Sequence, residues 1–218
     1  MTTMRAPKQP EGIRSRYHHG DLRAGLLTAA ELELVDNGIE GFSLRCVAKR
    51  AGVSHAAPLH HFRDTRQLLT ALAAQGFRRF LDTQQQHRAK HEKDALSQLV
   101  ASGLGYVDFA LSHPALFRLM FSSDRPDHAA PELVTAASAA FNQLVSDVTA
   151  THGPQWNGDQ RSLMADVISA WTVAHGLADL MTSGRIKFLL SLDHLERQKL
   201  LTEILRRSYA PQKSATKR

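Results

Sequence analysis

Cysteine is almost missing from this sequence: the 218 residues contain one, Cys46. An intrachain disulfide and a multi-thiolate metal site are excluded, and a reducing compartment is implied. No apolar run approaches the roughly 18 residues of a membrane span, and the opening MTTMRAPKQPEGIRSR lacks the apolar stretch of a secretory signal. Strand-like alternation is missing over any length, and so is a fixed-period repeat. The expectation is a soluble cytoplasmic protein that does not engage membranes.

What is present is ordinary globular material, 43% hydrophobic and 22% charged, enough for one or two cores. The charge is uneven. Residues 1–80 hold 12 Lys/Arg against 7 Asp/Glu, whereas residues 81–218 hold 15 against 14. A basic amino-terminal part favours polyanionic partners without choosing among them. Residues 1–17 carry Arg5, Lys8, Arg14 and Arg16 among Pro7, Pro10 and Gly12, which reads as a flexible basic arm. Residues 211–218 read as a comparable tail.

Between these ends apolar residues recur at intervals of three and four, the period of helices, and the chain reads as all-α. A first helix opens at Gly20 or Asp21, carries Leu22, Leu26, Leu27, Ala30, Leu34 and Val35 on one face, and ends at Asn37-Gly38. Ser43 caps a short helix from Leu44 to Ala51, which Gly52 closes; Ser54 caps a second from His55 to about His61. Asp64 or Thr65 then caps a long helix bearing Leu68, Leu69, Leu72, Phe77, Phe80 and Leu81. Further helices are expected near 93–111, 114–121, 131–152, 160–182 and 194–209, with breaks at His113-Pro114, Ser122 to His128, His152-Gly153-Pro154 and Ser183-Gly184. The long helix joins a compact part over 18–80 to a second over 81–210.

SLRCVAKRAGVSHAAPLHHF (Ser43 to Phe62) is two short helices about a tight turn, the spacing of a helix-turn-helix. Ala48 is small where the helices cross, Gly52 stands where the turn needs positive φ, and Val47 and Val53 pack between the helices. The second helix would offer His55, Ala56 and His60 to base edges in the major groove of duplex DNA. Pro58 falls near its first turn and should loosen that start towards 3-10 geometry.

YHHGDLR (Tyr17 to Arg23), LLTAAELELVDNGIEGFSLR, AGVSHAAPLHHF and DTRQLL resemble, in order and spacing, the amino-terminal domain of the TetR family of bacterial transcriptional regulators. HPALFRLMF (His113 to Phe121) and AWTVAHGLADL (Ala170 to Leu180) resemble a branch whose ligand domain carries a Trp, His, Gly signature. The resemblance implies a homodimer that binds a palindromic operator, usually represses, and releases DNA when a small molecule enters the carboxy-terminal domain. It further implies that Ser43 bonds a phosphate while capping its helix, that Arg45 contacts the backbone or a base, and that Ser54, His55 and Ala56 face the operator. Lys49 is a further phosphate candidate. The family usually has Tyr where this chain has Leu59 and Lys where it has Thr65; Arg63 and Arg66, adjacent to those positions, are suited to replace the lost phosphate contacts.

For an effector site the aromatic and sulfur-bearing residues of the second half are the material: Tyr106, Phe109, Phe117, Met120, Phe121, Phe141, Trp171 and Met181, most of them core. His175, Asp108 and Asn142 can add polarity, so the expected effector is mostly apolar. Trp171 and His175 lie one helical turn apart with Gly176 following, and this face suits a packed core, a ligand pocket or a dimer seam. Leu163, Val167, Leu177 and Leu180, with Leu195, Leu201 and Ile204, supply apolar surface for pairing the helices at 160–182 and 194–209 with a second copy. Cys46 reads as a small buried residue and His61 as packed beside Phe62 beneath its helix.

The twelve histidines show no metal spacing with carboxylates or cysteine, and no nucleophile–base pair or phosphate loop is present. No catalytic residue, metal site or cofactor is expected, and the chain is not expected to be an enzyme. The competing class is a helical interaction module that uses the helix-turn-helix only for packing.

Overall fold

The computed structural model describes residues 21–210, so the proposed arm and tail, with Tyr17 to Gly20, lie outside the described residues. The helices are α1 (Leu22–Asn37), α2 (Leu44–Arg50), α3 (Thr65–Ala89), α4 (Ala95–Ser112), α5 (Pro114–Phe121), α6 (Pro131–His152), α7 (Gln160–Thr182), α8 (Lys187–Ser191) and α9 (His194–Tyr209), with a 3-10 turn at Ala57–His60. No strand occurs among the described residues.

Local chemistry sets the boundaries. Asp21, Asp64, Asp94, Asp159 and Asp193 each accept a backbone N–H from the first turn of the helix they precede, at 2.8–3.0 Å, as Ser43 does from Cys46 at 3.2 Å. Pro114 and Pro131 open α5 and α6, where a missing N–H costs nothing. Gly52, between α2 and the 3-10 turn, has φ +70°, the conformation the tight turn requires. The short helix α8 was not anticipated; five residues between two breaks carry too little periodic signal.

The second helix of the helix-turn-helix is a correction. Instead of an α-helix from His55, the chain forms a 3-10 turn over Ala57–His60, begun by Ala57 N–H donating to Ser54 C=O at 3.0 Å. The Ser54 hydroxyl caps nothing here. Pro58 has no N–H to donate, so the first α-type bond of this segment runs from Phe62 back to Pro58, at 2.8 Å. Pro58 itself is buried against the domain.

α4 lies at the centre of the second half, packed on α3, α6, α7 and α9, and is buried along most of its length. Its two glycines allow close approach: a β-carbon at Gly103 would meet Tyr209 Oη at 2.8 Å, and one at Gly105 would meet Gln84 Cα at 2.7 Å. One apolar cluster runs without interruption from Leu26 and Leu34 of α1 through Leu68, Leu72 and Phe80 of α3 to Leu116, Phe117 and Ala178. A second cluster joins α4, α7 and α9 through Leu104, Val167, Leu177, Leu201 and Leu205. Leu22 and Val35, assigned to the buried face of α1, are exposed, since the inner stripe is narrower than the apolar periodicity suggests.

Candidate functional site

α2 is fastened to α1 by its last residue. Arg50 donates to Asp36 at 2.6 Å and to the buried carboxylate of Glu33 at 3.3 Å, while Asn37 donates to the other Glu33 oxygen at 2.9 Å. The carboxylate partners hold the Arg50 guanidinium above its ordinary range, led by the bond to Asp36. Sequence reading missed this anchor, because a carboxylate on a helix face gives no sign of being turned inward. With Arg50 engaged by Glu33 and Asp36, Arg45 and Lys49, four residues apart on α2, stand exposed on a shared face. Ser54, His55, Ala56, His60, Arg63 and Arg66 are also exposed, and Ser43 is half-buried at its cap. Arg66 lies 3.9 Å from Asp127, and Arg63 4.0 Å from Asp64.

Two buried-residue expectations fail in this region. Cys46 is exposed, because Val47 and Ala48 occupy the inner face of α2. His61 is exposed as well: the turn leaves Phe62 as the residue that enters the core, with the His61 ring tilted 6.4 Å from it. Val47 and Ala48 are fully buried and Val53 packs against the core, as the crossing of the two elements requires.

Ion pairs tie this domain to the second half. Glu132, in the first turn of α6, receives Arg23 of α1 at 3.3 Å and Arg78 of α3 at 3.2 Å. Arg23 also lies over the Phe62 ring, 5.4 Å from its centroid. Arg79 pairs with Glu31 at 2.5 Å and bonds His113, at the start of α5, at 3.2 Å. Burial, with Arg79 close by, pulls the His113 pKa below its ordinary value, Glu31 and Asp108 opposing.

A cavity of about 410 Å³ opens between α3, α4, α6, α7 and α9, with the end of α5 at its edge. Phe77, Phe80, Tyr106, Phe121, Phe141, Trp171 and Tyr209 supply its aromatic walls, and Gln84, Ser102, Ser138 and Asn142 its polar groups; no acidic or basic side chain lines it. Tyr106 Oη lies 2.8 Å from His175 Nδ1 and accepts the Trp171 indole N–H at 3.4 Å. Burial pushes the Tyr106 phenol far up, the Trp171 bond working against it, and burial draws His175 down against the pull of Asp179. Burial thus disfavours the charged form of His175 behind Tyr106, and no acidic or basic side chain lines the cavity itself.

Of the residues proposed for ligand contact, Tyr106, Phe121 and Trp171 line this cavity. Phe109, Phe117, Met120 and His175 do not. Phe109 packs edge-on against Phe80 at 5.4 Å, Phe117 stands behind Tyr106 at 5.9 Å, and Met120 fills space beside Gly76. His175 stands behind the wall, bonded to Tyr106 and packed near Phe121 at 5.5 Å and Trp171 at 6.5 Å between ring centroids. Asp108 bonds His87 at 3.1 Å instead, which holds its carboxyl below the ordinary range, and Met181 is buried in the second cluster. Gln84, Ser102, Ser138 and Tyr209 were missed: helical period marks a buried face but not a void within it.

The comparisons with known proteins agree in both halves. Residues 26–72 match a family model described as bacterial regulatory proteins, tetR family, and residues 99–205 one described as tetracyclin repressor-like, C-terminal domain. An HTH-type transcriptional regulator of Mycobacterium tuberculosis is 27% identical over 119 residues, 54% of this chain and 51% of the relative. The chain thus spans about half the length of the curated relatives it matches. A protein of unknown function from Rhodococcus sp. RHA1 is 34% identical with a TM-score of 0.73, over 91% of this chain and 100% of that one. A TetR family transcription regulator from Marinobacter aquaeolei VT8 shares the fold at 20% identity and TM-score 0.64, over 87% of this chain and 96% of its own.

Proposed function

We propose that this chain, which belongs to the TetR family of bacterial regulatory proteins and is a DNA-binding transcriptional regulator, binds a palindromic operator as a homodimer, represses, and lets go when a small molecule fills the α3/α4/α6/α7 cavity. As a member of a regulator family it is a binding protein and not an enzyme. No helix among the described residues is long and apolar enough to cross a membrane, and a regulator of DNA acts in the cytoplasm.

The observation that carries the ligand-responsive part is that one helix serves both ends. α3 begins at Thr65, capped by Asp64 just beyond the 3-10 turn, and carries Phe77, Phe80 and Gln84 into the cavity wall. α6 contributes Ala137 to Leu144 to the same wall while Glu132 at its start holds Arg23 and Arg78 of the DNA-binding part. A ligand that parts α3 from α6 moves the helix-turn-helix with them. Recognition elements held one DNA turn apart, about 34–36 Å, fit successive major grooves, and a few ångströms of change weaken both half-sites together. The functional parts we assign are a DNA-binding domain over 18–80 and an effector and dimerisation domain over 81–210.

The cavity's uncharged, aromatic lining supports a neutral, mostly apolar effector that makes few hydrogen bonds, through Gln84, Ser138 and Asn142. For the dimer, support comes from the apolar side chains left outside: Ile168 and Leu180 on α7, Phe188 on α8 and Leu195 on α9 are exposed. Val167, Leu177 and Leu201, first assigned to that seam, are buried within the subunit, where α7 and α9 pack on α4. Ser43, Arg45, Lys49, Arg63 and Arg66 are the phosphate contacts we assign, and Ser54, His55, Ala56 and His60 face the bases.

The test is fluorescence anisotropy of the purified protein on DNA flanking its own gene, at two salt concentrations, beside a scrambled duplex. Sequence-preferring binding that falls steeply with salt is expected from phosphate neutralisation. Salt-insensitive binding, or none to any duplex, would instead favour a helical interaction module.

A further inference from the structure

The 3-10 turn carries an exposed apolar side chain, Leu59, to which none of the roles above is given. Leu59 is 56% exposed, although it sits next to buried Pro58. In 3-10 geometry side chains three residues apart eclipse one another. Leu59 N–H donates to Ala56 C=O at 3.1 Å, the i to i−3 bond that sets Ala56 and Leu59 on one side of the turn, both exposed, as an apolar strip. The inward turn of Pro58 fixes the rotation of the element and keeps Leu59 on the outside. Exposed His55 and His60 are the strip's chain neighbours, and the exposed cations Arg45, Lys49 and Arg63 belong to the same small domain.

An apolar strip amid cations and imidazoles is complementary to a polyanion that also offers methyl groups. In the major groove of duplex DNA the one apolar group on a base edge is the C5 methyl of thymine. A leucine has no hydrogen to donate to a phosphate, so the position cannot act as a backbone clamp; what it offers is a surface for a methyl group. We propose that Ala56 and Leu59 form a thymine-methyl reader, with Leu59 a specificity determinant for T·A pairs in each half-site. This rests on the operator-binding reading above.

Thymine replaced by deoxyuridine keeps every hydrogen-bonding group and removes only the methyl. Full-length protein is used to select duplexes from a random pool, and each thymine of the best duplex is then replaced singly by deoxyuridine. Wild type is expected to lose affinity roughly fourfold at one or two positions of each half-site, the effect of one buried methyl. Leu59→Ala should be indifferent at those positions while retaining the wild-type melting temperature, since the side chain is outside the core. If no thymine position is sensitive, or if Leu59→Ala retains the sensitivity, the inference is overturned while operator binding stands. A selection that enriches no sequence overturns the operator reading, and this inference with it.

Discussion

Gly105→Ala isolates the close approach of α3 and α4 at Gln84, one of the residues that line the cavity. A β-carbon at this position lies 2.7 Å from Gln84 Cα, 3.1 Å from Gln84 N and 3.2 Å from Thr83 O, all of them backbone atoms of α3. Ordinary van der Waals contact begins at 3.4 Å, so the helices must part by several tenths of an ångström along a buried seam. Alanine in place of glycine favours the helix by about 1 kcal/mol. Overpacking costs about 1–3 kcal/mol, and the upper end applies where no rotamer change relieves the clash. The expected net loss is about 1–2 kcal/mol, or a melting temperature lower by roughly 3–6 °C for a chain of this size. Gly103→Ala gains the same helix propensity, but its β-carbon meets Tyr209 Oη at 2.8 Å and the Leu205 methyls at 3.1 and 3.2 Å, the ends of side chains that can shift. It should therefore melt between wild type and Gly105→Ala. Thermal melts by far-UV circular dichroism decide the order, and a Gly105→Ala protein that melts at or above wild type would refute the reasoning.

Arg50→Ala leaves the Glu33 carboxylate buried without its cation and should lower both the melting temperature and operator affinity, because α2 loses its anchor; adding Glu33→Gln should restore part of the stability, as denaturant titration of the double variant will show. His113 and His175 both hold pKa values below the ordinary 6.5, chiefly through burial. The unfolded chain therefore binds more protons in the window just below 6.5, and stability falls as pH is lowered through it; urea unfolding between about pH 7.5 and 5.5 should show this, with a shallower dependence in His175→Asn. Arg45→Ala should weaken binding to selected and scrambled duplexes alike and flatten the salt dependence of log K by about one unit, as expected for the loss of one phosphate contact.

Much of the architecture was legible in the order of residues because the signals are local. The aspartate caps, the prolines at 114 and 131 and the breaks at Gly153 and Gly184 act within one turn of the helix they bound, so α4 to α7 and α9 fall close to their expected limits. The 3-10 turn was half legible: Pro58 signalled a loosened start, but not that the whole segment would shrink to the single turn Ala57–His60. The DNA-contact candidates came chiefly from the family resemblance; all but half-buried Ser43 are exposed.

Sequence alone determined an all-helical chain and a helix-turn-helix with basic flanks, written in neighbours fewer than about five residues apart, and a family resemblance written in the order and spacing of longer segments. Only the tertiary structure decided which apolar residues line a void and which fill the core. Phe117 and Phe121 lie one turn apart on α5, yet one is packed behind Tyr106 and the other borders the cavity. The same holds for Glu33, turned inward to hold Arg50, and for Val167 and Leu201, taken up by the subunit's own core. Burial, pairing and cavities depend on what another helix brings from far along the chain, and helical period records only which side of a helix is apolar.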